Sequence, residues 1–178
     1  MIIQNLNIPF ITQISPVYLV GNEGKGLTVG TVITILGRVL PNANRFDINL
    51  CKDGGAGSAK PFHFNPRFAP YYEGIYENAV VLNTKSTDEG WGDEERKTDS
   101  FPFLKGECFK IEIRCENDHF SVSVDGKPFI DYKYRSPLKD CNFLEIAKQV
   151  EISSIEVKEQ DKMSNLAHAP LCECVWCI

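Results

Sequence analysis

Long apolar runs are missing from this chain. Nothing in its 178 residues approaches the roughly 18 consecutive apolar positions that a bilayer-spanning helix needs. The opening Met1 to Asn7 places no Lys or Arg ahead of a sustained apolar run, so no cleavable secretory leader is expected. A basic excess is missing as well. The net charge of -5 and a pI near 5.3 argue against general affinity for phosphate backbones, so no nucleic-acid partner is expected. A prenylation box fails because Cys177 stands one position before the end instead of fourth from it. No stretch keeps an apolar stripe at helical spacing for a dozen residues, and no internal repeat is apparent.

What is present suits one globular domain. At 43% hydrophobic and 11% aromatic the chain can bury a substantial core, and 24% charged residues exclude a disordered or fibrous composition. Seven cysteines is an odd number, and with no leader expected reduced thiols are the default. Cys51, Cys108, Cys115 and Cys141 lie in or beside apolar runs, where a free thiol acts as a small buried hydrophobe. Synthesis in the cytosol follows.

Short β-rich runs separated by turn residues fill most of the chain. They are Thr31 to Val39, Arg45 to Cys51, Pro61 to Phe68, Ala79 to Thr84, Phe109 to Cys115, Phe120 to Val124, Pro128 to Tyr132, Asn142 to Ile146 and Val150 to Val157. In Phe109 to Arg114 apolar and charged residues alternate, as a half-buried strand requires. Glu116-Asn117-Asp118 reads as one turn and Asp125-Gly126-Lys127 as another, Asp-Gly being a strong hairpin signal. Gly54 to Ser58 reads as a loop, and Ala147-Lys148-Gln149 as part of a short turn. The expected fold is all-β, an antiparallel sandwich or jelly roll.

After Lys158 neither period two nor period 3.6 survives, so residues 1–158 are read as the domain and 159–178 as an irregular tail. Cys172, Cys174 and Cys177 have the look of a thiolate cluster, but zinc wants a fourth ligand and only His168 is near. The tail is therefore read as frayed. No metal site and no cofactor are expected.

The informative segment is His63-Phe64-Asn65-Pro66-Arg67-Phe68. On a strand, His63, Asn65 and Arg67 share one face, while Phe64 and Phe68 point to the core. Pro66 donates no ladder hydrogen bond, which favours an edge or a strand end. A row of imidazole, amide and guanidinium suits a sugar, whose hydroxyls both donate and accept. Taken alone, the row fits a solvated face equally well. A second segment is Trp91-Gly92-Asp93-Glu94-Glu95-Arg96, following the turn-prone Thr87 to Gly90. Its Glu94 and Arg96 are expected on one strand face, and its indole is a flat plate on which a sugar ring can stack. A core Trp with a surface ion pair explains the same residues slightly better if nothing else is weighed. Asn83 closes the apolar run Val80-Val81-Leu82 and on its own reads as a strand-end cap.

Together, His63-x-Asn65-Pro66-Arg67, Val81-x-Asn83 and Trp91-Gly92-x-Glu94-x-Arg96 resemble the galectin carbohydrate-recognition signature. Phe101-Pro102-Phe103 and Asp118 to Asp125 agree with it, and the resemblance runs from about Pro9 to Lys158. It implies a concanavalin A-like jelly roll of two antiparallel sheets, with the glycan on the concave face of one. It also implies roles. His63, Asn65 and Arg67 would contact the axial 4-hydroxyl that separates galactose from glucose. Asn83 and Glu94 would hold the 6-hydroxyl, Trp91 would stack on the ring, and Glu94 with Arg96 would reach the next sugar. The partners implied are β-galactosides of lactose or N-acetyllactosamine type on glycoproteins or glycolipids, bound without membrane insertion. A homodimer through the N-terminal arm and final strand is compatible with the chain. The family leaves the cell without a signal peptide, so cytosolic and exported pools are both expected. Two departures bear on fine specificity. Tyr71 stands where many members carry another polar residue, often His, and the stretch 70–78 is a few residues longer than usual.

Catalysis is not expected. Glycosidases need two carboxylates about 5 to 10 Å apart across the bond. Strand alternation sends Asp93 and Glu95 away from the face of Glu94, and His63 has no evident nucleophilic partner. The other alternative is a galectin-like fold that has lost sugar binding and serves as a protein-interaction module.

Overall fold

Strict alternation of polar and apolar residues makes most of this chain half-buried strand, and the elements follow the alternation closely. The computed structural model describes residues 17–21, 25–55, 57–69 and 78–159. Among the described residues twelve strands run in chain order: β1 (Val17–Leu19), β2 (Val32–Val39), β3 (Phe46–Cys51), β4 (Lys60–Arg67), β5 (Ala79–Ser86), β6 (Gly90–Trp91), β7 (Glu95–Lys97), β8 (Cys108–Cys115), β9 (His119–Val124), β10 (Lys127–Lys133), β11 (Phe143–Lys148) and β12 (Val150–Lys158). The helical content among the described residues is one 3-10 turn, Leu138–Asp140. None of the described residues forms a helix long and apolar enough to cross a membrane.

The strands form two antiparallel sheets that do not close into a barrel. One runs β1-β11-β3-β4-β5-β6, with β7 also paired to β5; the other runs β10-β9-β8-β2-β12. This is the two-sheet jelly-roll sandwich expected from the sequence. The β9–β10 hairpin turns on Asp125 and Gly126, both at positive φ, as a two-residue turn of the primed type demands.

Aromatic rings fill the space between the sheets. Phe62 on β4 lies 4.8 Å from Phe120 on β9, and Phe46 on β3 stacks 5.4 Å from Phe109 on β8. Phe46, Phe62, Phe64 and Tyr132 are fully buried. Burying such a side chain contributes roughly 1.5 to 3 kcal/mol, so this layer dominates the cohesion of the sandwich. Because Phe62 and Phe64 face inward, His63, Asn65 and Arg67 must face the outer side of the larger sheet.

Two local expectations change, and a third, for Pro66, resolves to the strand end. Ala147 and Lys148 belong to β11 instead of a turn, with Lys148 at φ 78 where the chain reverses into β12. Cys108 is exposed at the start of β8, whereas Cys51, Cys115 and Cys141 are buried as expected. Cys108 is the first residue of the alternating strand and falls on its outward face, opposite buried Phe109. Pro66 sits near the end of β4, but that strand is central, between β3 and β5; the edge position is therefore not what accommodates it. The tail cysteines, His168 and Tyr71 lie outside the described residues.

Candidate functional site

Sheet register brings the polar residues of five strands together. His63 on β4 lies opposite Asn49 of β3 and Asn83 of β5. Asn65 lies opposite Val81, which in turn faces Arg96 of β7. Trp91 of β6 pairs with Lys85 on β5. The result is a groove of about 470 Å³ on the outer face of the larger sheet. Six of the seven residues singled out from the sequence line it: His63, Asn65, Arg67, Asn83, Trp91 and Glu94. Arg96 does not line the groove but pairs with a residue that does, its Nε 3.4 Å from Glu94 Oε2. Glu94 precedes β7, so the two share an ion pair without sharing a strand.

The floor is held by one continuous polar chain. Asn65 Nδ2 donates to Asp47 Oδ1 at 2.7 Å and to Phe46 O at 2.8 Å. Asn65 Oδ1 accepts from Arg67 Nε at 2.7 Å, and Arg67 Nη2 donates to Glu94 Oε1 at 2.9 Å. Asn65 is 1% exposed, with both amide hydrogens and one lone pair of Oδ1 engaged. Among the described residues, no buried side-chain nitrogen or oxygen lacks a hydrogen-bond partner. A network satisfied in this way is rigid before any ligand arrives, which lowers the ordering cost of binding.

A second chain sets the chemistry of His63. Lys60 Nζ donates to Glu145 Oε1 at 2.5 Å, and Asn49 Nδ2 donates to the same oxygen at 2.8 Å. A carboxylate can only accept, so the amide of Asn49 must turn its Oδ1 toward His63 Nδ1, 2.5 Å away. Nδ1 therefore carries the proton and Nε2 is left as an acceptor. Burial, reinforced by the Lys60, Arg67 and Arg45 charges, pushes the imidazole down to about 3, so it is neutral at physiological pH. Burial also raises the carboxyl of Asp47, against the pull of Arg45, Lys148 and Lys60.

The opposite wall is aromatic. Trp91 is 49% exposed and its ring lies 4.7 Å from that of His63, tilted by 57°. Asn83, by contrast, is 4% exposed; its Nδ2 donates to Gly92 O at 2.8 Å and its Oδ1 accepts from Thr84 N at 2.7 Å. It anchors the turn that carries Trp91, a role beyond a strand-end cap. Asn49, Glu145, Lys60, Asp47, Arg45 and Lys148 were not picked out from the sequence. They belong to β3, β4 and β11 or flank them, and only sheet order places them at the groove. No group of three or more His, Cys, Asp or Glu side chains among the described residues is arranged to hold a metal.

The family model described as galactoside-binding lectin matches residues 19–157, which takes in every strand of the groove. The chain belongs to the galectins. Among curated relatives of this galectin, galectin-3 of Oryctolagus cuniculus is 41% identical over 130 residues, 72% of this chain and 50% of that protein. Galectin-3 of Cricetulus longicaudatus is 38% identical over 72% of this chain and 49% of its own length, and galectin-4 of Rattus norvegicus 37% over 73% and 38%. The chain thus spans half or less of the length of these relatives. Solved structures agree on the fold. Sheep galectin-11 in complex with glycerol aligns with a TM-score of 0.68 at 22% identity, over 83% of this galectin and 100% of that chain. A double variant of human galectin-16 aligns at 0.71 and 21%, over 86% and 100%.

Proposed function

We propose that this galectin binds β-galactosides of lactose or N-acetyllactosamine type in the groove on the larger sheet and releases them unchanged. The observation that carries the reading is a half-exposed indole 4.7 Å from a neutral, tautomerically defined imidazole, above a pre-bonded Asn65–Arg67–Glu94 floor. Nε2 of His63 accepts from the axial 4-hydroxyl, a bond glucose with its equatorial hydroxyl cannot make in the same pose. Arg67 donates to the same hydroxyl. Asn83 offers its second Nδ2–H, and Glu94 a carboxylate oxygen, to the 6-hydroxyl. Trp91 covers the apolar face of the ring, and Arg96 with Glu94 meets the following sugar. Glu94 is held in place between Arg67 and Arg96. Release of the aryl group from aryl β-galactosides by the purified protein would refute the non-catalytic part of this reading.

The wider assignments follow the same reading: a lectin domain over residues 1–158 with a separate tail, acting on glycoprotein or glycolipid glycans from cytosolic and exported pools, with a homodimer as its assembly. The test is a titration of lactose against tryptophan fluorescence in a Trp176→Phe background, with sucrose as control. A saturable change with lactose alone is expected. A folded protein that ignores lactose refutes the galactoside reading and favours the interaction-module alternative.

A further inference from the structure

Trp91 sits on one of the weakest elements of its sheet. β6 has two residues, paired through Lys85 with Trp91 and Ser86 with Gly90. The residues that follow, Gly92 to Glu94, lie outside any strand. Within the same sheet this segment is held by Gly92 N, which donates to Thr84 O at 2.9 Å, by the bond from Asn83 to Gly92 O, and at its far end by Arg67 and Arg96 on the Glu94 carboxylate. Two residues of ladder leave an exposed ring poorly defined. The further restraint comes from the other sheet.

Arg135 follows β10, the edge strand of the five-stranded sheet. Its Nη1 donates to Asp93 O at 2.7 Å and to Asn83 Oδ1 at 3.4 Å, and its Nη2 donates to Glu95 Oε1 at 2.6 Å. Its guanidinium carbon stands 5.1 Å from the ring centroid of fully buried Tyr132, whose hydroxyl is 2.9 Å from Thr84 Oγ1. A guanidinium is a planar plate with donors in set directions, so once stacked it aims all its bonds at once. Asp93 and Glu95 are the residues on either side of Glu94, and gripping both sets where Glu94 points. Thr84 N and Gly92 O orient the Asn83 amide, and the longer bond from Arg135 Nη1 to its Oδ1 adds to that hold.

We propose that Arg135 is a positioning residue of the galactoside site, holding the Trp91–Glu95 segment and the Asn83 amide from the opposite sheet. The inference rests on the galactoside reading for its effect on affinity. Viewed as a surface ion pair with Glu95, Arg135 would contribute little. Its bonds to a backbone carbonyl and to a buried amide are what lift it above that.

The test uses the full chain with Trp176→Phe, so that emission reports Trp91. Acrylamide quenching of Trp91 measures the exposure and mobility of the segment, and lactose titration measures the site. Arg135→Ala is expected to raise quenching and weaken lactose binding about tenfold, the scale on which groups in one network couple. Arg135→Lys keeps the charge but cannot span Asp93 O and Glu95 together, so it should resemble Arg135→Ala. Tyr134→Phe removes a hydroxyl bonded to Glu116 O at 2.7 Å in the same stretch. It is expected to lower the unfolding midpoint while leaving quenching and lactose affinity at wild-type values. Either readout at its wild-type value in Arg135→Ala overturns the proposal, as does wild-type behaviour of Arg135→Lys or the same changes in Tyr134→Phe. Should Arg135→Ala fail to fold, Arg135→Lys carries the comparison with the same expected direction, and wild-type values there count against the proposal. A wild type silent to lactose refutes the galactoside reading separately. The quenching comparison, which needs no ligand, then decides whether Arg135 holds Trp91.

Discussion

Replacing Asn49 with Asp should convert His63 from a group that stays neutral into one that titrates close to neutrality. In the wild type, burial first and the neighbouring cations second hold the imidazole at about 3. The substitution puts carboxylate charge where Asn49 Oδ1 now lies, 2.5 Å from Nδ1. Opposite unit charges about 4 Å apart attract by about 4 kcal/mol at an effective dielectric of about 20. At about 1.4 kcal/mol per pH unit, His63 should rise by up to about 3 units. The new carboxylate also meets Glu145, where Asn49 Nδ2 now donates, and repulsion between the two makes about 3 units an upper bound. The sign for stability is then definite. Wild-type His63 lies below its ordinary 6.5 in the folded protein, so below that pH the unfolded chain binds a proton the folded one refuses. Stability is withdrawn as pH falls from 6.5 toward 3, by at most about 1.4 kcal/mol per unit from this residue. In Asn49→Asp most of that slope should vanish. NMR of the imidazole resonances across the acid range measures both titrations, and lactose affinity at pH 7 and 5 measures the consequence. The wild type should show no His63 titration above about pH 4 and an affinity untouched by this group. The variant should titrate near pH 6 and bind more weakly in acid, because a protonated ring has no lone pair at Nε2. A wild-type His63 titrating near 6.5, or a variant still below about 4.5, refutes the argument.

Two further substitutions separate binding from cohesion. Glu94→Gln keeps the size of a side chain that is 40% exposed, so urea denaturation should find stability within about 1 kcal/mol of wild type. Calorimetric titration should nonetheless find lactose affinity down about ten- to a hundredfold, since bonds to charged groups contribute about 1.5 to 3 kcal/mol; the reverse pattern would make Glu94 structural. Phe62→Ala removes a fully buried ring packed against Phe120, Phe64 and Tyr132, and should cost about 3 to 5 kcal/mol in urea unfolding. A loss below about 1 kcal/mol would mean that the aromatic layer is not what joins the sheets.

Long alternating strands were legible because each residue's environment is set by period two, and nine of them emerged within a residue or two of their ends. The short ones were not. β1, β6 and β7 have two or three residues, too few for a period, and exist because β11 and β5 offer them partners. The same division runs through the groove. His63, Asn65 and Arg67 declare themselves because a strand face that should be bland carries three different polar groups. Asn49 and Glu145 look like ordinary strand residues, and nothing local reveals that β3 and β11 stack them in line with His63. Arg135 is harder still, since its importance depends on which end of one sheet overhangs which end of the other. Lys148 looked like turn because Lys-Gln interrupts an apolar run; the left-handed residue is there, but at the last position of a strand.

Two thiols sealed in the core, Cys115 and Cys141, give the sandwich a chemical clock; a third, Cys51, is buried on the outer face of β3 beside Lys60. Burial holds Cys51 up at about 11 and Cys115 at about 12, and lifts Cys141 well above the ordinary thiol range. At neutral pH fewer than about one in a thousand such groups is ionised, and only the thiolate attacks an oxidant or a disulfide. A molecule moved from a reducing to an oxidising compartment would therefore keep the two core sulfurs intact for as long as its sheets stay together. Exposed Cys108 has no such shelter. How fast the interior of the sandwich ages outside the cell is thus set by how often the sheets part, a property of the aromatic layer and not of the sulfur chemistry.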